Sequence, residues 1–187
     1  MHMKTLLIAL VAGMSMLGAP SLTLAGEPGA AYRALPNFEL AVGESFPLDG
    51  LVDANGRAIA RERLLGKPVL INFYTRHCAP CIKEVPKLNE VMKRRGELNV
   101  LAITPDPAAE AARYVKQHGL KWPVAADAEV LLFKRLNVQA FPAFALLDDK
   151  GRLIAAVQAN QLGGEDGHAT VAGIERWLDV QLAPVRK

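Results

Sequence analysis

The only two cysteines of the 187-residue chain stand three positions apart, in Cys78-Ala79-Pro80-Cys81. Two thiols at that spacing can close into a disulfide and reopen, and the thiolate is the attacking species in such exchange. The apolar run before them, Val69 to Tyr74, has the composition of a strand buried on both faces. A helical pattern follows them. A CxxC that leaves a strand and opens a helix is a far stronger redox signal than CxxC alone. Cys78 then falls at a helix N-terminus, where unpaired backbone N–H groups and the macrodipole favour negative charge. Pro80 sits in the first turn, where a missing N–H costs little, and the N–H of Cys81 is free to point back at the Cys78 sulfur. Cys81 starts the apolar stripe of the helix. That asymmetry assigns attack to Cys78 and resolution of the mixed disulfide to Cys81.

Two blander uses of the pair fit less well. A bridge closing so small a loop constrains the unfolded chain little. Zinc takes four ligands, and past the N-terminal leader only His77, His118 and His168 accompany the cysteines, at spacings of no short zinc module. No metal and no cofactor are expected.

The elements that must hold the pair can be placed by pattern. Cys81, Val85, Leu88 and Met92 form one apolar helical stripe, with Lys83, Glu84, Lys87, Glu90 and Arg94 on the solvated remainder. Gly96 should close this helix and Pro86 should kink it. Asn99 to Thr104 reads as the next strand. Asp106-Pro107 reads as an N-cap with proline at the first helical position, and Gly119 as the stop of that helix. Trp122 to Ala125 suits a short strand and Glu129 to Leu136 a short helix. Phe46 to Leu48 and Arg57 to Ile59 flank Asp53-Ala54-Asn55-Gly56, an N-terminal β-hairpin signal. Phe141 to Leu147 and Leu153 to Val157 flank a second hairpin turn at Asp148 to Gly151. Val171, Ile174, Leu178 and Leu182 mark a C-terminal amphipathic helix, with Trp177 packed beside the stripe. Helices between the middle strands imply parallel crossovers, and the final hairpin is antiparallel, so the class is α/β with a mixed central sheet flanked by helices.

The first residues have another purpose. After Lys4 the chain is uncharged from Thr5 to Gly26, with an apolar centre from Leu6 to Leu17 and small residues, Thr23 and Ala25, before a cleavage point after Ala25. This is the layout of a secretory signal peptide over residues 1–25; an uncleaved anchor is the alternative, although Pro20 interrupts the span. The absence of a cysteine near that point excludes a lipid-anchored lipoprotein. Residues 26–36, rich in Gly, Ala and Pro, read as a linker or a tail lying along a single domain of residues 37–187. With 22 basic and 19 acidic residues in the whole chain, charge is too balanced to argue for nucleic acid. An exported protein with one cysteine pair sits where disulfides persist, periplasmic or otherwise outside the cytoplasm.

At Val69-Leu70-Ile71-Asn72-Phe73-Tyr74-Thr75-Arg76-His77-Cys78-Ala79-Pro80-Cys81-Ile82-Lys83-Glu84-Val85-Pro86 the chain resembles the active-site segment of thioredoxin-fold proteins. It is most similar to the exported TlpA/ResA-like thiol–disulfide oxidoreductases. Lys83-Glu84-Val85-Pro86, the inserted segment from Asp106 to Val124, Phe141-Pro142 before a strand and the Asp148 to Gly151 turn all match, over about Leu35 to Leu182. The resemblance implies that Pro142 is a cis-proline opposite the cysteines, with Phe141 offering backbone groups to a substrate strand. It also implies protein thiol or disulfide substrates, an upstream membrane electron donor, and a reductive role of the kind used in cytochrome c maturation or copper-site assembly. A monomer is expected.

Three departures stand out. His77 replaces the Trp usual in that family before the first cysteine, and a histidine there can tune the thiolate or shuttle protons. Asn72 stands where cytosolic thioredoxins bury an Asp, so a general base must be water, Glu84 or His77. Tyr74-Thr75 replaces Trp-Ala. His118, in the last turn before Gly119, suits the helix dipole, and His168 lies in a Gly-rich loop. Two other uses of the pair remain open on sequence grounds. One is a non-enzymatic copper or haem carrier, since soft thiolates suit Cu(I). The other is a thiol peroxidase, to which Thr75 and Cys78 are suited but Ile71 is not.

Overall fold

A computed structural model describes residues 32–163 and 167–183. The signal segment 1–25 and most of the 26–36 segment lie outside the described residues. Six strands form one sheet: β1 (Val52–Asp53), β2 (Val69–Phe73), β3 (Asn99–Ile103), β4 (Val124–Ala126), β5 (Ala143–Leu147) and β6 (Leu153–Gln158). Their spatial order is β1-β4-β3-β2-β5-β6. β2, β3 and β4 are parallel neighbours, whereas β5 runs antiparallel to β2 and β6 to β5. The connections that join the parallel strands carry α1 (Ala79–Arg94) and α2 (Ala108–His118), and α3 (Val171–Leu182) closes the chain. The sheet is mixed for the reason its sequence suggested: helical crossovers in the middle and a tight turn at the end.

The sheet has two apolar faces because side chains alternate along each strand. Leu70, Val100, Ala102, Phe144 and Leu146 face the helices, joined by Val85 and Leu88 of α1, Tyr114 of α2 and Trp177 of α3. Val69, Ile71, Phe73, Leu101, Ala145 and Leu147 face the other way, where Phe46, Leu48, Leu132 and Val138 cover them. All five residues of β2 and of β5 are buried. β2 is therefore a fixed rail, and the segment leaving its end is aimed by the core rather than by solvent. Trp177, expected to pack beside the α3 stripe, is fully buried.

Several details differ from expectation. The N-terminal hairpin turn forms at Asp53 to Arg57, where the Asp53 carboxylate accepts from the N–H groups of Asn55 and Arg57 at 2.7 and 2.9 Å. Its first arm is Leu51 to Asp53, since the N–H of Ile59 bonds the Leu51 carbonyl, while Phe46 pairs with Gly151. Hairpin register follows loop length, and the tight turn takes the nearer arm. α1 runs through Pro86 to Arg94 with Arg95 as its cap, and Gly96 has no positive φ. α2 does end at Gly119, whose φ of 69° is the left-handed stop that glycine allows. The short helix expected from Glu129 is a π-helical turn, Val130–Arg135. Tyr32 and Leu35 already pack on the body of the domain, and the Leu35 N–H bonds the Ala156 carbonyl at 2.9 Å. Among the described residues no helix is long and apolar enough to cross a membrane.

Candidate active site

Cys78 is the N-cap of α1, half-buried, and Cys81 is in the first turn at 4% exposure. The two are joined as a disulfide with Cα atoms 5.2 Å apart. The Cys81 N–H points at the Cys78 sulfur across 3.2 Å, the contact expected of a first-turn donor with no intrahelical acceptor. Pro80 occupies the first turn without disturbing it. The more open sulfur is thus the one nearest the helix N-terminus, where negative charge is favoured.

The peptide bond between Phe141 and Pro142 is cis. Pro142 is buried and Phe141 half-buried at the entry to β5, which is the antiparallel neighbour of β2. Adjacent strands thus bring the cis-proline to the end of the sheet from which α1 departs. A cavity of ≈ 140 Å³ is lined there by Pro80, Phe141, Pro142, Gln158 and Glu84, among others. The main-chain groups of Ala140 and Phe141 make no hydrogen bond with the described residues.

Glu84 is the main correction. It is 1% exposed rather than solvated. The face of α1 that carries it lies beneath the segment leading into α3. A Cβ added at Gly173 would collide with the Leu162 carbonyl, so α3 starts in close contact with that segment. The N–H of Ala169 donates to Glu84 Oε1 at 3.1 Å, and Lys87 Nζ donates to the Ala169 carbonyl at 2.7 Å. Glu84 Oε2 has no hydrogen-bond partner among the described residues. Burial pushes the Glu84 carboxyl up to about 7, against the smaller opposing pull of the Ala169 N–H and the Lys87 ammonium. A signal was present in the sequence: Glu84 is three residues after Cys81 and four before Leu88, so it borders the apolar stripe rather than lying opposite it.

His77 is exposed and does not line that cavity. It borders a groove of ≈ 300 Å³ with Arg76, Ile82, Glu110, Arg113 and His118. Its Nε2 accepts from Arg76 Nε at 2.8 Å, so the neutral ring carries its proton on Nδ1. The Arg76 guanidinium also lies 3.8 Å from Asp106 and 3.9 Å from Glu110. Asp106, expected to cap α2, does not: Pro107 holds the N-cap position with no side-chain cap. The Asp106 carboxylate instead accepts from the Arg76 N–H and the Thr104 hydroxyl, both at 2.7 Å. It ties the loop before Cys78 to the end of β3, a role that sequence reasoning missed. Tyr74 stacks on Tyr114 with centroids 4.6 Å apart, and His118 packs on Tyr114 in turn. Asn72 is buried in β2.

Residues 32–156 match the AhpC/TSA family. The chain belongs to that family. Curated relatives called thiol-disulfide oxidoreductase ResA are similar to it. The one from Bacillus thuringiensis subsp. konkukian is 31% identical over 126 residues, which span 66% of this chain and 73% of the relative. The one from Geobacillus kaustophilus is 29% identical over 157 residues, 79% of this chain and 85% of the relative. A crystal structure of a putative thiol:disulfide interchange protein DsbE from Chlorobium tepidum superposes with a TM-score of 0.59 at 20% identity. It covers 76% of this chain and 96% of that one. The thioredoxin-like fold and the TlpA/ResA-like resemblance therefore both hold. Family and fold agree on a thiol–disulfide oxidoreductase carrying a Cys78–Cys81 pair.

Proposed function

We propose that the protein is an exported reductant that exchanges disulfides with protein substrates, of the type that serves cytochrome c maturation or copper-site assembly. The observation that carries the reading is one arrangement: the half-buried Cys78 at the start of α1, the buried Cys81 behind it, and cis-Pro142 with Glu84 around one cavity. In the reduced protein the Cys78 thiolate attacks one sulfur of a substrate disulfide and expels the other as a thiolate. The Cys81 thiol, losing its proton to the Glu84 carboxylate or to water, then attacks the Cys78 sulfur. The substrate leaves with two thiols, and the protein retains the Cys78–Cys81 disulfide. A carboxyl near 7 can both accept and return that proton at neutral pH. Phe141 and Pro142 would receive the substrate segment, and Pro80 and His77 would adjust the thiolate.

The signal-peptide pattern of residues 1–25 supports export, with a membrane electron donor to re-reduce the pair. The reductive direction is supported by Ala79-Pro80, which places no cation between the cysteines. It is supported as well by the pairing of Arg76 with Asp106 and Glu110, since uncompensated positive charge would favour the thiolate and make the pair more oxidising.

The test is the equilibrium reduction potential of the Cys78–Cys81 disulfide. A value near that of thioredoxin, about −270 mV, is expected, and one near about −120 mV would make the protein an oxidant. In parallel, Cys81→Ser should trap a covalently linked protein partner and Cys78→Ser should not. Tight Cu(I) binding with no trapped partner would identify a metal carrier instead.

A further inference from the structure

Four large apolar side chains are markedly exposed among the described residues, and two of them, Val130 and Phe133, share the single π-helical turn. Val130 lines a depression with Pro47, Asp49 and Asp127, so the contact surface beside the cis-proline is carried by Phe133 and its neighbour Phe141. Leu131 and Leu132 of the same turn are buried in the core, so the turn is anchored while Val130, at 66% exposure, and Phe133, at 40%, remain outside. π-Helical turns recur at functional positions, and this one leads into the cis-proline loop. The Phe133 ring meets the edge of Phe141, with centroids 6.2 Å apart and planes at 82°. Phe141 in turn lines the cavity with Pro80 and Pro142. Apolar surface thus continues from Phe133 to the cavity beside the first turn of α1. Lys134 follows Phe133, exposed and without an ion pair among the described residues, whereas Arg135 shares a separate depression with Asp49 and Asp127.

We propose that this turn selects substrates: Phe133 seats a bulky apolar side chain beside the target cysteine, and Lys134 attracts an acidic residue of the same segment. The inference rests on disulfide exchange with proteins and names the sequence class preferred. The occupant is an extended segment, because the unpaired main chain of Ala140 and Phe141 offers hydrogen bonds that an extended chain can complete. An aromatic anchor beside the exposed Lys134 ammonium fits an apolar-acidic segment and disfavours a polar-basic one.

Two peptides test this, each with one cysteine as a mixed disulfide with 2-mercaptoethanol, flanked by Phe and Asp in one and by Ser and Lys in the other. The reduced wild-type protein should cleave the first with a kcat/KM about tenfold higher, a preference of about 1.4 kcal/mol. Phe133→Ser should bring the two peptides to within about twofold by raising KM with kcat held, the pattern of lost uniform binding. Lys134→Glu should lower the apolar-acidic peptide and raise the other. Turnover of 2-hydroxyethyl disulfide, which presents no flanking residues, should be unchanged in every variant, showing that they fold and react. Val180→Ser, at an exposed position on α3, should keep the full preference. Equal rates for the two peptides in the wild type, or a preference that survives Phe133→Ser, would overturn the inference. Failure to turn over 2-hydroxyethyl disulfide at all would overturn the exchange reading itself.

Discussion

Two depressions beside the first turn of α1 use similar residue types to opposite effect. On one side, Glu84 lies beneath the segment leading to α3, with one oxygen lacking a hydrogen bond among the described residues, next to Pro80, Phe141 and Pro142. On the other, Glu110 and Asp106 face Arg76, with His77 and Arg113 at the rim. Both sides contain carboxylates within a short distance of the cysteine helix. Burial raises the Glu84 carboxyl to about 7, whereas the Arg113 guanidinium beside Glu110 holds that carboxyl below its usual range. Environment, rather than residue type, separates a carboxyl pushed up toward neutrality from one held in its charged form.

The contrast is broken most strongly at Glu84. Between the ordinary glutamate value and about 7, the folded chain keeps a proton that the unfolded chain releases. Stability should therefore fall as pH rises through that window and level off above it, by about 3 kcal/mol in all. Glu84→Gln should remove this slope and leave the variant more stable than the wild type at pH about 8, as followed by urea midpoints. The same variant should lose the step near neutral pH in the rate of disulfide exchange. A wild-type stability flat across the window would place Glu84 in the same class as the exposed carboxylates.

Asp106 comes next. Asp106→Ala leaves the Arg76 N–H without its partly buried acceptor and should cost about 1–3 kcal/mol. Asp106→Asn keeps an acceptor oxygen and should recover most of the loss. Urea denaturation, with amide exchange at Arg76, reads both; equal losses in the two variants would show that charge and not the hydrogen bond holds the loop. The smallest effect is expected at His77. His77→Ala should change stability by less than about 0.5 kcal/mol, as for other exposed positions. A change in exchange rate beyond about tenfold would move the proton chemistry from the cavity side to the groove side.

Much of this molecule was legible in its local patterns. The CxxC at a helix start, the strand before it, the Asp148 to Gly151 turn and the α3 stripe depend on neighbours within a few residues, and each appears near its expected place. Glu84 and Asp106 were misread for one reason. Each was assigned from its own segment, as a solvated helix position and as an N-cap, although its decisive partner lies far along the chain: Ala169 for Glu84 and Arg76 for Asp106. The hairpin arm was displaced because Phe46 pairs with Gly151, again a distant partner.

By itself the sequence determined the cysteine pair at a helix start and the alternation of elements, because helix ends and hydrophobic periodicity are local properties. Only the tertiary structure decided which charges are dry. Solvation depends on what packs above a residue, and over Glu84 that cover comes from 85 residues away.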